Sequence, residues 1–293
     1  LKKIIKNVND LDLPILEVPS IEDLVSGKDK IDSLKPIKIE KLLGRESVEN
    51  NFKILEENIT GKTICITGAG GSIGSELCRQ IINLKPKRLI LIELSEPSLY
   101  FINKELNNLN SHIEIIPILG NCNNYELLNK TFEDYYVNII FHAAAYKHVH
   151  LVESNPIIGL SNNVFTTKVL CKLCIQFNIE KFVLISSDKA VRPTNVMGAS
   201  KRLSELIVQA FADDQYKEYK ENLLTKFSIV RFGNVLGSSG SVIPLFKDQI
   251  AKGGPITVTH PEVIRYFMMI PEAAELVLQA SYLTKGGEIF LLD

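Results

Sequence analysis

A glycine-rich turn between a short apolar strand and an amphipathic helix restricts the fold of this chain more than any other feature. The apolar run Thr63–Thr67 leads into Gly68, Gly71 and Gly74, and helical periodicity begins at about Ser72. Such a turn needs one glycine for its tight bend and a second so that a phosphate can approach the backbone. A third lets the helix pack closely on the strand, and the helix N-terminus attracts the anion. The pattern predicts a dinucleotide-binding βαβ unit.

Apolar strands alternate with helices along most of the chain. The predicted strands are Thr63–Thr67, Arg88–Glu93, Ile113–Ile118, Asn138–His142, Lys181–Ser186 and Lys226–Arg231, and the predicted helices span about 72–84, 125–132, 156–177 and 196–211, with one more after Pro97. Strands that are apolar throughout and separated by helices indicate a parallel sheet covered on both faces. We therefore predict an α/β fold, a Rossmann-like doubly wound parallel sheet with a small C-terminal substrate-binding lobe.

A carboxylate at the end of the second predicted strand indicates which dinucleotide binds. Glu93 lies 25 residues after Gly68, where an acidic side chain binds the adenosine ribose 2′-hydroxyl and repels a 2′-phosphate. NAD, rather than NADP, is the predicted cofactor. The alternative, a Glu93 side chain that faces solvent, stays open.

Composition along the chain predicts three segments. Residues 1–60 are rich in Lys, Glu and Asp and form a predicted linker with short helices, residues 61–231 form the NAD-binding Rossmann-like domain, and residues 232–293 form part of the substrate-binding lobe. The chain begins at Leu1 rather than Met and stops at Asp293 directly after an apolar run, so we expect truncation at both ends.

Charge and apolar content exclude several classes of protein. The chain holds 33 Lys and Arg against 34 Asp and Glu, a net charge of −1, which argues against nucleic-acid binding through bulk positive charge. Hydrophobic residues make up 45% of the chain, too large a share for a disordered protein. No apolar run reaches the roughly 18 residues that a transmembrane helix needs.

Cysteine and histidine spacing predicts no metal site. The odd number and irregular spacing of the five cysteines indicate a reducing compartment. Cys171 and Cys174 form a C-x-x-C pair inside an apolar helical run, which favours a role in packing. His142, His148 and His150 cluster without a carboxylate at ligand spacing.

Polar residues after the fifth predicted strand resemble those of the extended short-chain dehydrogenase/reductase superfamily. In that superfamily a Ser/Thr at the strand end, here Ser187, works with Tyr-x-x-x-Lys on the next helix. The lysine is present as Lys201, but Met197 occupies the tyrosine position and cannot transfer a proton. Two interpretations stay open. The chain is a non-catalytic NAD(H)-binding scaffold, or Asp188 and Lys189 supply the missing acid and base.

Four longer motifs together resemble the CapD-like polysaccharide-biosynthesis proteins, which are UDP-N-acetylglucosamine 4,6-dehydratases. The motifs are Phe141–Val149, Ser187–Ala190, Pro193–Lys201 and Arg231–Val242, and the resemblance covers about residues 40–293. The methionine variant is similar to the long, membrane-anchored branch of the family. The resemblance implies a full-length protein at the cytoplasmic face of the bacterial inner membrane, attached through segments missing from this chain. It implies that this fragment is soluble.

The same resemblance implies a lyase of bacterial glycan biosynthesis. The expected reaction is the NAD-dependent dehydration of UDP-N-acetylglucosamine to the UDP-4-keto-6-deoxy sugar, with internal hydride transfer from C4 to C6 and loss of water. By position, Asp188 is the expected acid for the C6 hydroxyl, Lys189 the expected C5 base, and Ser187 the expected partner of the C4 oxygen. Alternatives are a nucleotide-sugar 4-epimerase, which normally needs the tyrosine that Met197 replaces, a 5-inverting dehydratase, and a non-catalytic NAD(H)-binding regulator.

The family pattern also implies contacts to cofactor and substrate. The expected cofactor contacts are Gly68, Gly71, Ser72, Ile73, Gly74, Glu93, Asn121, Ala143, Ala145 and Lys201; Asn121 stands where relatives usually have Asp. The expected contacts to the UDP-sugar are Tyr146, Lys147, Asn163, Arg231, Asn234, Ser238, Lys247 and Arg265. Arg231 and Arg265 are forked cations suited to a diphosphate. A homo-oligomer paired through the helices at about 156–177 and 196–211 is also expected.

Overall fold

A parallel sheet forms the centre of the protein in the computed structural model. Within the described residues its strands are β1 Thr63–Thr67, β2 Arg88–Glu93, β3 Glu114–Leu119, β4 Ile139–His142, β5 Lys181–Ile185, β6 Lys226–Arg231 and β7 Ile289–Leu291. Their order across the sheet is β7-β6-β5-β4-β1-β2-β3, and every neighbouring pair is parallel. The prediction of a doubly wound Rossmann-like sheet is therefore confirmed. The strand order reverses between β1 and β4, and ligands bind open α/β sheets at the carboxyl edge of such a point.

The structure describes residues 16–17, 35–36, 52–109, 112–219, 224–238, 240, 242–258, 260–262 and 265–292. The chain divides into two units, 1–48 and 49–293. In the first unit, Leu16–Glu17 pairs antiparallel with Lys35–Pro36. The other features predicted before residue 52 lie outside the described residues.

Helices cover both faces of the sheet. They are α1 Phe52–Ile59, α2 Ser72–Asn83, α3 Glu96–Leu109, α4 Tyr125–Tyr135, α5 Val149–Ser154, α6 Pro156–Leu160, α7 Thr166–Gln176, α8 Val196–Tyr219, α9 Val242–Ala251 and α10 Ile270–Leu283. No helix among the described residues combines the length and the apolar character needed to cross a membrane.

The two faces of the sheet form two apolar cores. Ile64 and Ile66 of β1 point to one face and pack with residues of α2, α3 and α10. Cys65 points to the other face, among residues of α4, α7 and α8. Burial of each large aliphatic side chain contributes roughly 1.5–3 kcal/mol. Cys171 and Cys174 are fully buried in this second core, and burial raises the pKa of both thiols. They are packing residues here.

The region predicted as one long helix over 156–177 is divided in three. A separate helix, α5, ends before Asn155, because Pro156 cannot donate a backbone hydrogen bond to the turn before it. A π-helical segment, Ser161–Phe165, then joins α6 to α7. Single π turns inside helices often mark functional positions.

The second unit begins before the domain start predicted at residue 61. On α1, the Asn58 side chain donates to Ser281 Oγ of α10 at 3.2 Å and accepts from Lys181 Nζ at 2.6 Å. At the other end of the chain, β7 belongs to the sheet and α10 packs against one of its faces. The short parallel pair Asn234–Val235 and Phe267–Met268 forms a separate two-stranded sheet.

Candidate functional site

A cleft of about 1230 Å³ lies at the carboxyl edge of the sheet. It is lined by most of the site residues predicted from the sequence: Gly68, Gly71, Ser72, Ile73, Gly74, Ala143, Ala145, Tyr146, Lys147, Ser187, Lys189, Met197, Lys201, Asn234, Ser238 and Arg265. The structure places Glu93, Asn121, Asn163, Asp188, Arg231 and Lys247 outside this lining. Ser239 and Ser241, which share the loop of Ser238, lie outside the described residues.

The glycine-rich turn fits the backbone of a dinucleotide. Gly68 has φ +66°, and a Cβ there would lie 2.7 Å from the backbone nitrogen of Ala144. A Cβ on Gly74 would collide with the carbonyl oxygen of Gly68, so this position lets α2 pack against the end of β1. Gly71, at the N-cap of α2, carries no side chain to cap the first helical turn, a place that a phosphate can take.

Glu93 binds the backbone of the turn in this structure. Its Oε2 accepts from the backbone N–H of Gly70 at 2.9 Å, and its Oε1 accepts from those of Leu94 and Ser95 at 2.9 and 3.0 Å. The carboxylate therefore joins the turn to the end of β2, and its contact to ribose stays a prediction. The side-chain oxygen Oδ1 of Asn121 likewise accepts from a backbone N–H, that of Asn123, at 3.0 Å.

A chain of hydrogen bonds follows the end of β5. Ser187 Oγ donates to Asp188 Oδ1 at 2.8 Å, and Lys189 Nζ donates to the same oxygen at 3.0 Å. Lys189 Nζ also lies 3.3 Å from Asn234 Oδ1. Partial desolvation raises the pKa of Asp188, but the bonds from Lys189 and Ser187 outweigh it and the pKa is lowered overall. Asp188 is thus a carboxylate at rest, unlike the protonated acid expected from the sequence, because two donors stabilise its charge.

The first turns of α8 bring Met197 and Lys201 to the cleft. Lys201 is buried, and its Nζ donates to the carbonyl of Ile185 at 2.9 Å. Desolvation lowers the pKa of Lys201 to about 8, opposed by the negative charge of Glu205. Sequence reasoning missed Gly198: a Cβ there would collide with the carbonyl oxygen of Lys189. Its position beside the tyrosine-equivalent Met197 was the available signal.

Arg231 is bound to a carboxylate outside the cleft lining. Its Nε donates to Oε1 of Glu205 at 2.7 Å and its Nη2 to Oε2 at 2.5 Å, and the Glu205 side chain is fully buried. This placement does not support the predicted diphosphate contact, because Arg231 lies outside the cleft lining and the edge of its guanidinium formed by Nε and Nη2 is bound to Glu205. Lys247, on α9, is exposed. Arg265 does line the cleft and is exposed there.

Asn163, in the π-helical segment, lies beneath the loop that carries Tyr146. Its amide oxygen accepts from the Tyr146 N–H at 2.8 Å, and its Nδ2 donates to the Tyr146 carbonyl at 3.1 Å and to Ser200 Oγ at 2.9 Å. Asn163 is buried, so it positions a cleft residue here. Next to Tyr146, Lys147 is exposed at the cleft, and partial desolvation lowers its pKa.

His142, at the end of β4, is a buried imidazole with both ring nitrogens bonded. Nδ1 lies 2.7 Å from Thr67 Oγ1, and Nε2 lies 3.2 Å from Thr167 Oγ1. Thr67 Oγ1 accepts from the Ala144 N–H, and Thr167 Oγ1 donates to the Asn163 carbonyl. Only a neutral ring with its proton on Nε2 gives every donor one acceptor. Burial, followed by the charge of Lys201, lowers the pKa of His142 to about 3.

This buried imidazole predicts a loss of stability in acid. The unfolded chain binds a proton to histidine below pH ~6.5, whereas the native state does so only near pH 3. Stability is therefore complete above pH ~6.5 and declines as the pH falls toward 3. As the pH falls from 7.5 to 5.0, this histidine is expected to lower the free energy of unfolding by about 2 kcal/mol. Urea unfolding of His142→Asn should lack this part of the pH dependence, whereas His150→Asn, at an exposed position, should keep it. Equal pH dependence in all three proteins would contradict this account.

Metal ligation finds no support in the part of the chain that the structure describes, where no group of three or more His, Cys, Asp or Glu side chains could hold an ion.

Comparisons with known proteins agree with this arrangement. The family model described as "Polysaccharide biosynthesis protein" matches residues 64–293. The capsular polysaccharide biosynthesis protein CapD of Staphylococcus aureus is 46% identical over all of this chain, which spans 48% of that relative. The chain thus spans about half the length of the first curated relatives it matches. An inverting UDP-N-acetylglucosamine 4,6-dehydratase of Campylobacter jejuni is 31% identical over 79% of this chain and 66% of its own length. A UDP-glucose 4-epimerase of Rickettsia rickettsii is 34% identical over 78% of this chain and 65% of its own length.

Solved structures share the fold. Pen from Bacillus thuringiensis aligns with a TM-score of 0.73 and 34% identity, over 80% of this chain and 72% of that one. DesIV from Streptomyces venezuelae, a dTDP-glucose 4,6-dehydratase solved with NAD bound, aligns with a TM-score of 0.66 over 78% of this chain and 74% of that one. Its sequence identity of 19% supports the fold alone. The family match over residues 64–293 and the 46% identity to CapD lead to one conclusion: this chain belongs to the polysaccharide biosynthesis protein family.

Proposed function

We propose that this protein is an NAD-dependent nucleotide-sugar 4,6-dehydratase that converts UDP-N-acetylglucosamine to its 4-keto-6-deoxy form in glycan biosynthesis. The observation that carries the proposal is the hydrogen-bonded chain of Ser187, Asp188 and Lys189 beside Met197. A methionine at the position of the usual base leaves the reaction in need of other proton carriers. This chain supplies an acid–base pair at the same cleft.

The glycine-rich turn and α8 are the residues that would hold NAD. Gly68 and Gly71 admit the pyrophosphate to the backbone, Glu93 lies beside them for the ribose, and Lys201 reaches the cleft for the second ribose. When bound, NAD supplies the hydride chemistry that opens the reaction at C4 and closes it at C6. The remaining chemistry is proton transfer by this chain's own side chains.

Ser187 gives the C4 hydroxyl a route for its proton. The Ser187 hydroxyl donates to Asp188 Oδ1 at 2.8 Å, so a proton accepted from the sugar moves onward to the carboxylate. Asp188 is thereby converted to the acid that the later loss of the C6 hydroxyl requires. That hydroxyl leaves as water, and Asp188 returns to the carboxylate.

Lys189 then acts as the base at C5. Lys189 Nζ lies 3.0 Å from Asp188 Oδ1. Proton transfer from C5 requires the neutral amine, so in this scheme the ammonium first gives a proton to solvent and regains one from solvent at the end of the cycle. The neutral amine takes the C5 proton, which the ketone at C4 has made acidic, and later returns it. Asn234 Oδ1, 3.3 Å from Nζ, helps to hold the amine in the cleft.

The nucleotide-sugar diphosphate is proposed to lie along the cationic side of the cleft. Arg265 and Lys147 both line the cleft and are exposed in it. Tyr146, whose backbone is held by Asn163 through two hydrogen bonds, also lines the cleft. The forked guanidinium of Arg265 and the ammonium of Lys147 are both suited to bind the oxygen atoms of a diphosphate.

A 4-epimerase is the second candidate, favoured by the identity of 34% to a UDP-glucose 4-epimerase. Met197 at the tyrosine position argues against it, since C4 epimerisation on this scaffold relies on a base there. A non-catalytic regulator that binds NAD(H) is the third. The pairing of Asp188 with Lys189, of which Lys189 lines the cleft, argues against a regulator, which needs no acid–base pair.

One assay separates these candidates. The protein is incubated with NAD and UDP-N-acetylglucosamine, and the sugar is followed by proton NMR. A 4-keto-6-deoxy product, with its C6 methyl signal, supports the dehydratase. The C4 epimer supports an epimerase, and an unchanged sugar with tight NAD binding supports the regulator. The ring-proton couplings of the product also distinguish retention from inversion at C5.

A homo-oligomer paired through the helices at about 156–177 and 196–211 remains part of the proposal. Large apolar side chains are exposed on this surface, with Ile157 at 78%, Phe165 at 55% and Leu203 at 44%. Apolar side chains exposed together are typical of an interface between subunits. We expect the double variant Ile157→Asp/Phe165→Asp to sediment as a smaller species than the parent. A variant with the same sedimentation coefficient would exclude this surface.

A further inference from the structure

Glu205 is a fully buried carboxylate whose oxygens are all engaged, yet no role for it follows from the reaction. Four donors reach it: Ser186 Oγ at 2.6 Å, Arg231 Nε at 2.7 Å and Nη2 at 2.5 Å, and Arg202 Nη1 at 3.0 Å. A buried carboxylate is tolerated when its lone pairs accept hydrogen bonds. The loss of one member of such a cluster leaves the remaining buried polar groups without a hydrogen-bond partner.

The donors connect three elements directly beneath the proposed proton carriers. Ser186 is the residue after β5, Arg231 ends β6, and Glu205 itself lies on α8. One helical turn earlier, Lys201 Nζ bonds the carbonyl of Ile185. Two residues of α8, spaced i and i+4, therefore hold two successive residues of the chain immediately before Ser187–Lys189.

The same cluster supplies a negative charge within the cleft wall. Lys201 is buried, and the one carboxylate that acts on its pKa is that of Glu205 among the described groups. Neutral His142, from β4, is the other titratable group that interacts with Lys201. Removal of the Glu205 charge would take away the carboxylate that Arg231 and Arg202 bind and that acts on Lys201.

We propose that Glu205 and Arg231 are positioning residues that together hold the Ser187–Lys189 segment in place. This inference rests on the proposed function for its catalytic consequence, but its structural part stands independently. It also gives Arg231 a task that differs from binding the diphosphate.

Hydrogen exchange tests the structural part without any turnover. In Glu205→Gln, the amides of Asp188 and Ala190, which bond the carbonyls of Phe232 and Ser187, are expected to exchange about tenfold faster or more. Peptides from β1 to β3 should be unchanged. The matched control is Glu105→Gln, because Glu105 also binds an arginine through two bonds, at 2.6 and 3.1 Å, but between α2 and α3. Unchanged exchange at 187–190 in folded Glu205→Gln would overturn the proposal.

Kinetics and UDP binding test the catalytic part. We expect kcat of Glu205→Gln to fall about 10²-fold, since small displacements of catalytic groups carry costs of that order. KM and the Kd for UDP should stay within about twofold, the signature of a lost transition-state interaction rather than lost ground-state binding. If Glu205→Gln fails to fold, Arg231→Lys keeps the charge and gives the same test. A Kd for UDP about tenfold weaker or more in Arg231→Lys would instead make Arg231 a diphosphate ligand.

The structural part of this inference and the proposed function are refuted by different results. A parent protein that leaves UDP-N-acetylglucosamine unchanged refutes the proposed function, while the exchange rates still decide whether Glu205 holds the segment.

Discussion

Replacement of Lys189 by methionine is expected to lower kcat for UDP-N-acetylglucosamine by about 10²–10⁴-fold, the usual contribution of a general base. Methionine keeps the length of the side chain and removes the amine that faces the cleft. NAD affinity should be unchanged, because Lys189 is not among the residues expected to contact the cofactor. Lys172→Met, at an exposed position of α7, is the matched control and should retain parental activity.

Asp188→Asn completes this test. The amide cannot accept the proton that Ser187 passes on, so turnover should fall by a similar factor. Full activity in both Lys189→Met and Asp188→Asn would exclude this pair as the proton carriers.

Replacement of Gly68 by alanine is expected to abolish measurable NAD binding and to destabilise the fold. At φ +66° a non-glycine residue costs roughly 1–2 kcal/mol, and the added Cβ would also lie 2.7 Å from the Ala144 nitrogen. The steric part displaces either the turn or the Ala143–Ala145 segment, both of which line the cleft. Calorimetric titration with NAD and thermal unfolding measure the two effects.

Gly61→Ala separates strain from collision. Gly61 has φ +72°, but a Cβ there would meet nothing within 4 Å. We expect it to lose stability by a similar backbone cost and to keep NAD affinity. Equal NAD affinity in Gly68→Ala and the parent would show that the turn does not hold the cofactor.

Local signals in the sequence were sufficient for the fold. Strands such as Thr63–Thr67 and Arg88–Glu93 are apolar runs bounded by polar or turn residues, and their limits were predicted as observed. One continuous helix was predicted over 156–177, and its division by a π-helical segment was not predicted. Pro156 signals the start of α6, but the π-helical segment contains Asn163, whose amide bonds Tyr146, a contact between residues 17 apart.

Pairings across elements account for the differences at the site. Arg231 carried the expected features of a diphosphate ligand, yet its partner Glu205 lies 26 positions away, on α8. Asp188 was expected to act as an acid, which requires a bound proton. The neighbouring Ser187 and Lys189 side chains turn toward it and lower its pKa instead. Residue types identified the cleft, whereas their protonation and orientation depended on tertiary contacts.

The most direct test of the central claim is isotope transfer within the sugar. UDP-N-acetylglucosamine carrying deuterium at C4 is incubated with the protein and NAD, and the product is examined by NMR. An internal dehydration predicts a 4-keto product whose C6 methyl group contains the deuterium. Deuterium retained at C4, in either the unchanged sugar or its C4 epimer, would contradict the assignment of this protein as a 4,6-dehydratase.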